Sequence, residues 1–354
     1  MAAIRILVVG LGHMGASHAD AYHRDRRFEI VGLVARGIHD RPIPAALADY
    51  PRFADYGEAL AQTRPDAVSI STWPDTHAAF ALAALDMGAH VFVEKPIATT
   101  TEDARAVAAR AAEVGRVLLA GYILRVHPSW QRFVQIGQGL GKPLVMRMNL
   151  NQQSTGEAYV WHRNLLGSLT PLVDCGVHYV DVMCQLTGAR PLRVHGIGAR
   201  LWDEGTQPNY GALHVVFDDG SVGWYEAGWG PMMSEVAHFV KDVVGPRGAV
   251  SLVPAASGGE AGSADIDSHT RTDVIRLHHA ETGPDHRLVK ADETITMEGE
   301  PDHQALCDLE ATLFADCIDG STDSAPLVEA ALNSLAIVLA ADQSIREGRA
   351  VTLD

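Results

Sequence analysis

A chain of 354 residues is long for one hydrophobic core, so two domains are expected. The formal net charge of -16, with 47% hydrophobic and 20% charged residues, argues against nucleic acid or an anionic membrane as partner, because both demand basic patches. Cys175, Cys184, Cys307 and Cys317 have no paired metal-type spacing and point to a reducing, cytoplasmic setting. No signal peptide is expected ahead of Ile4, and no apolar run reads as long enough to span a bilayer.

Ile4 to Val9 is a continuous apolar run, as a central parallel strand requires. The spacing then predicts a helix from Met14 to Arg24, a strand from Glu29 to Ala35 and a strand from Ala67 to Ser71. Trp73-Pro74-Asp75 reads as a breaker ahead of a helix from Thr76 to Met87, with Gly88 at its C-terminus. Val91 to Val93 is a further strand. Thr101 to Val114 is an alanine-rich helix with Thr101 as its expected N-cap, and Val117 to Ala120 is one more strand. Strands alternating with helices indicate a parallel sheet covered on both faces.

Gly10-Leu11-Gly12-His13-Met14-Gly15 lies between the first strand and the first helix. In that context a G-x-G-x-x-G loop indicates a dinucleotide site. Gly10 permits the turn, Gly12 lets the backbone approach a pyrophosphate, and Gly15 lets helix and strand pack closely. The end of the second strand reads Val34-Ala35-Arg36-Gly37, without the carboxylate that would accept from a ribose 2′-OH. Arg36 suits a 2′-phosphate, so NADP is favoured and NAD stays open. Val91-Phe92-Val93-Glu94-Lys95-Pro96 drives an apolar strand into a charged pair and a proline. Charges at a strand's carboxyl end sit where open α/β sheets bind ligands, and Pro96 restrains Lys95 before it.

After Tyr122 the pattern changes. Trp130 to Ile136 reads as helix, Leu144 to Leu150 as strand, and Val173 to Leu186 as a helix stopped by Gly188. From Pro191 strands dominate, with a hairpin turn at Asp219-Gly220 between alternating runs. Residues 255–267, rich in Gly, Ser and Ala, read as a mobile loop, and His303 to Ile318 and Leu327 to Ile345 as two closing helices. The expected architecture is an α/β Rossmann domain over 1–121 and, over 122–354, an α+β domain with a large, mostly antiparallel open sheet.

Asp174 and His178 are four residues apart in one expected helix, and Asp181 continues their face. Histidine is the natural general base near neutral pH, and a nearby carboxylate would orient it. A surface ion pair, a metal site and a satisfied buried histidine are the competing readings. The spacing lacks a zinc pattern, and no metal is assigned.

The chain resembles the glucose–fructose oxidoreductase / inositol dehydrogenase / rhizopine catabolism (Gfo/Idh/MocA) family over nearly its whole length. The residues that carry the resemblance are Gly10 to Gly15 with His18, Trp73-Pro74-Asp75-Thr76-His77, Gly88 to Pro96, and Asp174-Cys175-Gly176-Val177-His178-Tyr179-Val180-Asp181. The resemblance implies a catalytic trio of Lys95, Asp174 and His178. It also implies a cofactor site built from Gly10, Gly12, His13, Met14, Gly15 and Arg36, from Thr72, Trp73, Pro74 and His77 on the nicotinamide side, and from Glu94 and Lys95 at the nicotinamide ribose. Substrate contacts are expected from Arg125, His127, Trp161, Arg163 and Thr170, with His162 also considered; Trp161 could equally serve packing. These residues lie in or near segments that depart from the family's usual pattern, Ile123 to His127 and Gly167 to Pro171. The implied reaction is hydride transfer between nicotinamide and a carbon of a sugar, sugar derivative or inositol, in a homodimer or homotetramer. A nicotinamide-dependent glycosidase and a non-catalytic NAD(P)-binding regulator are the alternatives.

Overall fold

A computed structural model describes residues 2–40, 42–234, 240–253, 262–264 and 266–353. The chain divides into two units, Met1–Val126 with His303–Leu332, and His127–Asp302 with Asn333–Asp354.

The first unit holds a six-stranded sheet. Its elements are β1 (Ile4–Val9), α1 (His13–Arg24), β2 (Phe28–Val34), β3 (Arg52–Phe53), α2 (Tyr56–Thr63), β4 (Ala67–Ile70), α3 (Pro74–Asp86), β5 (His90–Glu94), α4 (Thr101–Glu113) and β6 (Leu118–Gly121). The order β3-β2-β1-β4-β5-β6 is parallel throughout. Strand order therefore reverses between β1 and β4, and a crevice opens at their carboxyl ends. Later in the chain, α10 (His303–Ile318) returns to this unit. Its Cys307, Ala311 and Phe314 join Val8, Tyr22, Phe28, Leu33 and Phe92 in one buried cluster.

The second unit contains α5 (Pro128–Gln138), β7 (Val145–Gln153), α6 (Gly156–Leu165), α7 (Pro171–Asp174), α8 (Gly176–Thr187), β8 (Pro191–Ala199), β9 (Tyr210–Phe217) and β10 (Val222–Gly230). It continues with β11 (Lys241–Gly245), β12 (Gly248–Val253), α9 (Ile266–Thr270), β13 (Val274–His279) and β14 (Glu293–Thr296). Helix α11 (Ala325–Glu347) precedes β15 (Val351–Thr352). The nine-stranded sheet runs β14-β13-β12-β11-β7-β10-β9-β8-β15 and is antiparallel except where β10 pairs with β7. One face carries α5, α7 and α8 at close range. A Cβ on Gly137 would lie 2.3 Å from Leu186, one on Gly211 2.6 Å from Leu172, and one on Gly223 2.7 Å from Met183. The other face exposes Val145, Val222 and Val244, which stand in one row of the sheet, with Val222 and Val244 each paired to Val145.

Several details differ from the sequence reading. The N-cap of α4 is Thr100, whose hydroxyl accepts from the Asp103 N–H at 3.1 Å and donates to its carboxylate at 2.8 Å. The side chain of the residue three on also counts: Thr100 has Asp103, which accepts its hydroxyl, whereas Thr101 has Ala104. Pro74 does not break the chain but opens α3, because its missing N–H would be unpaired there anyway. The expected single helix from Val173 is broken at Cys175 into α7 and α8. By length and composition α11 could cross a membrane, with a mean hydropathy of 1.4 in its apolar window, contrary to the reading that no run could. Part of its apolar surface is used inside the protein, with 39% of that window buried: Val338 packs on Gly176, and Ile345 on Gly196 and Gly198 of β8. The stretch 255–267 lies largely outside the described residues, and its end enters α9.

Candidate functional site

In the first unit, the turn after β1 meets the turn after β4. Gly10 has φ +93°, and a Cβ there would lie 2.2 Å from the Ser71 carbonyl oxygen. A Cβ on Gly15 would lie 2.2 Å from the Gly10 carbonyl oxygen, so α1 can approach β1 only because both residues are bare. Gly12 differs: it has φ -72°, and an added Cβ would meet nothing within 4 Å. It is also the N-cap of α1, with no side chain capping the helix. Free N–H groups, the positive end of the helix dipole and open space thus coincide, which fits a dinucleotide pyrophosphate. The same helix start is braced from α10, where His303 stacks on His13 at 5.1 Å and places its Nε2 3.2 Å from Met14 Sδ.

This contrast yields a prediction. Gly12→Ala should keep the wild-type melting temperature yet weaken NAD(P) binding at least about tenfold, because the new methyl occupies ligand space. Gly15→Ala should lower thermal stability, since its methyl collides with backbone. Thermal melts and fluorescence titration of both variants separate the two roles; unchanged affinity in Gly12→Ala would remove this loop from the cofactor site.

Arg36 is exposed on the turn that follows β2, beside Gly37 at φ +63°. Thr72 shares a 2.6 Å hydrogen bond with Thr76, and Trp73 is 44% exposed as the N-cap of α3. Pro74 is buried at the helix start. His77 is buried, with Nδ1 2.7 Å from the Pro96 carbonyl and Nε2 3.1 Å from the Thr72 carbonyl. It ties the loop after β4 to the turn after β5. Burial pushes its imidazole below the ordinary value, despite those carbonyls.

Glu94 turns its carboxylate inward. One oxygen lies 2.7 Å from His18 Nε2, and the other accepts the Lys95 backbone N–H at 3.1 Å. Lys95 itself is half-buried, and its peptide bond to Pro96 is cis. Arg125 is buried, donates to the Leu327 carbonyl at 2.8 Å and lies 4.8 Å over the Tyr122 ring.

In the second unit, buried Asp174 ends α7 and half-buried His178 lies in the first turn of α8, across the break at Cys175. Gly176 allows this approach, since a Cβ there would stand 3.1 Å from the Tyr225 ring. Asp181 is buried and accepts from Gln185 at 2.8 Å within its own helix. His162 stacks on Trp229 at 4.7 Å, shares a 2.8 Å hydrogen bond with Ser154 and is flanked by Trp161, which is 46% exposed. Burial pushes His162 down to about 4, against the charge of Asp174. Arg163 is exposed. Thr170 donates to Asp342 at 2.7 Å. His127 is buried 3.5 Å from Glu300 and is likewise pushed down to about 4 by burial and by the charge of Arg271. Of the expected substrate residues, Trp161 and Arg163 are exposed, whereas Arg125, His127 and Thr170 are buried.

Three buried groups went unread in the sequence. Glu310 sits on the apolar stripe of α10 with Leu306 and Phe314, a spacing that could have flagged it. Gln152 accepts from the Trp229 indole at 3.0 Å. Lys241, in β11, donates to the Asn149 carbonyl with its Nζ 4.5 Å from the Tyr179 ring centroid, and burial holds its ammonium well below the usual value.

The chain matches the family model "Oxidoreductase family, NAD-binding Rossmann fold" over residues 4–122 and "Oxidoreductase family, C-terminal alpha/beta domain" over residues 134–353. It is 26% identical over 370 aligned positions to scyllo-inositol 2-dehydrogenase (NAD(+)) of Bacillus subtilis, covering 99% of this chain and 96% of that protein. It is 31% identical over 226 positions to UDP-N-acetylglucosamine 3-dehydrogenase of Acidithiobacillus ferrooxidans, covering 60% and 68%. An NAD binding oxidoreductase from Klebsiella pneumoniae superposes with a TM-score of 0.80 at 20% identity, over the full length of both chains. With both halves matched in order, the chain belongs to the Gfo/Idh/MocA family of NAD-binding oxidoreductases.

Proposed function

We propose that this protein is a dehydrogenase or reductase of a sugar, sugar derivative or inositol. The observation that carries the reading is the cradle at the start of α1, where uncapped N–H groups face open space at Gly12. The names of the relatives, an inositol and a nucleotide-sugar dehydrogenase, support the substrate class. A bound nicotinamide supplies the hydride acceptor or donor. In the oxidative direction His178 takes the hydroxyl proton, Asp174 orients it, and the Lys95 ammonium stabilises the developing alkoxide. The test is a panel of scyllo-inositol, myo-inositol, glucose and UDP-N-acetylglucosamine with NAD+ and NADP+, read at the nicotinamide absorbance. Tightly retained cofactor without net reduction of added cofactor would favour the glycosidase reading instead.

Cofactor preference rests on Arg36, exposed where an acid would serve NAD. NADP is expected to bind more tightly than NAD, and Arg36→Ala to abolish the difference. Fluorescence titration of both cofactors decides this, and equal or tighter NAD binding by the intact protein refutes the preference.

The exposed row of Val244, Val145 and Val222 supports assembly through the open sheet face, as a homodimer or homotetramer. Light scattering at micromolar concentration should give a multiple of the chain mass of 38.0 kDa. Val145→Glu should shift it to monomer. The four cysteines are buried and form no disulfide with one another, in keeping with a cytoplasmic setting.

A further inference from the structure

A buried cluster lies behind the Lys95 turn. His18 projects from α1, Glu94 ends β5 and Glu310 lies mid-way along α10. All three are buried. His18 Nε2 is 2.7 Å from Glu94 Oε1 and 4.0 Å from Glu310 Oε2. The Glu94 carboxylate has little freedom. A Cβ on Gly121, its neighbour in β6, would lie 3.2 Å from the carboxyl carbon, and the Phe92 ring stands 4.7 Å from the His18 ring.

The two glutamates differ in protonation. Burial pushes both upward. For Glu94 this is outweighed by the His18 hydrogen bond and charge and by Lys95, so its carboxyl falls below the ordinary value. For Glu310 the charge of Glu94 adds to burial and holds the carboxyl well above it. An ionised Glu94 can only accept, so His18 Nε2 must carry the shared proton. His18, Cys307 and Glu310 also bring ligand-type atoms within 4.8 Å of one another. A metal would need deprotonated ligands, whereas burial holds the Cys307 thiol, like Glu310, strongly toward its protonated form.

We propose that His18 is a positioning residue for Lys95: its Nε2–H pins one oxygen of Glu94, and the other oxygen then holds the Lys95 backbone N–H and aims the lysine side chain. The proposal rests on the catalytic reading of Lys95 given above. A small displacement of a catalytic group can cost as much as about a hundredfold in rate, so a clamp of this kind acts on turnover rather than on cofactor affinity.

The test compares His18→Gln, whose amide N–H can reach Glu94, with His18→Asn, whose amide is too short. Both keep a polar group in the pocket, and thermal melts confirm folding. Two readouts are taken on the full chain. The first is hydrogen exchange of the peptide carrying Lys95, which needs no substrate. The second is turnover with the best substrate of the panel above, alongside cofactor dissociation constants. Asn is expected to speed exchange and slow turnover, each about tenfold or more, with cofactor affinity within about twofold of wild type. Gln should restore both to within about threefold. In a Lys95→Ala background His18→Asn should cost no further turnover. Equal loss in Gln and Asn, loss confined to cofactor affinity, or stoichiometric metal in the purified protein overturns the proposal. A full additional loss in the Lys95→Ala background overturns it while sparing the role of Lys95; near-normal turnover in Lys95→Ala alone removes the Lys95 reading itself.

Discussion

Replacing Lys95 by alanine is expected to lower turnover a few hundredfold while cofactor affinity stays near that of the intact protein. Losing one preorganised donor to a developing oxyanion typically costs about 3–4 kcal/mol of barrier. The residue is half-buried, and its backbone N–H donates to Glu94, a contact that alanine keeps. His178→Ala should cost roughly 10²–10⁴-fold, the usual contribution of a positioned base. Oxidation by the intact enzyme should rise with pH as the base loses its proton, and that limb should vanish in His178→Ala. Steady-state kinetics across pH on folded variants provide the check. Near-normal turnover in either variant removes that residue from the chemistry.

Thermal stability is expected to fall by roughly 10 °C between pH 6.5 and pH 4.5. Burial pushes His77 down in the folded state, and His90, His127 and His162 down to about 4, from an ordinary 6.5. A depressed folded value means that the neutral ring stabilises the fold. That contribution is fully present above 6.5 and is lost as pH falls toward 4, where the unfolded chain binds more protons. Glu310 and Asp342 run the other way, because burial raises both, and their contribution declines as pH rises above the ordinary carboxylate range. Four histidines against two carboxyls leave net proton uptake on unfolding. Each net proton is worth about 1.4 kcal/mol per pH unit, of the same order as a sizeable part of net stability. Melts at fixed ionic strength measure the slope. A flat profile over this range would mean that the histidines are hydrated in solution, and His127→Gln with His162→Gln should flatten a genuine one.

What the sequence made legible follows from how local each feature is. Gly10, Gly12 and Gly15 could be read because a tight turn, open ligand space and close helix–strand contact each exclude side chains at fixed offsets. The alternation in β9 and β10 with Asp219-Gly220 between them showed the hairpin for the same reason. The parallel pairing of β10 with β7 could not be read, since alternation sets which face a residue takes and not which strand lies alongside. The His18–Glu94–Glu310 cluster joins residues from three distant segments, and a lone glutamate in a helix ordinarily reads as solvated. Lys241 was missed on that ground too. The break at Cys175 could not be read either, since the apolar stripe of Val173, Val177, Val180 and Cys184 runs on across it.

The return of α10 to the first unit carries a consequence for synthesis. Phe314 packs near both Phe28 and Phe92, with ring centroids 6.4 and 5.9 Å away, and Cys307 and Ala311 close the same cluster. On the ribosome the six parallel strands emerge long before this helix does. Until residues 303–332 leave the exit tunnel, the nascent nucleotide-binding half presents an uncovered aromatic surface and no Glu310 beside His18. Completion of this core therefore waits on a late segment, and chaperone dependence is expected to peak while the intervening sheet is being made.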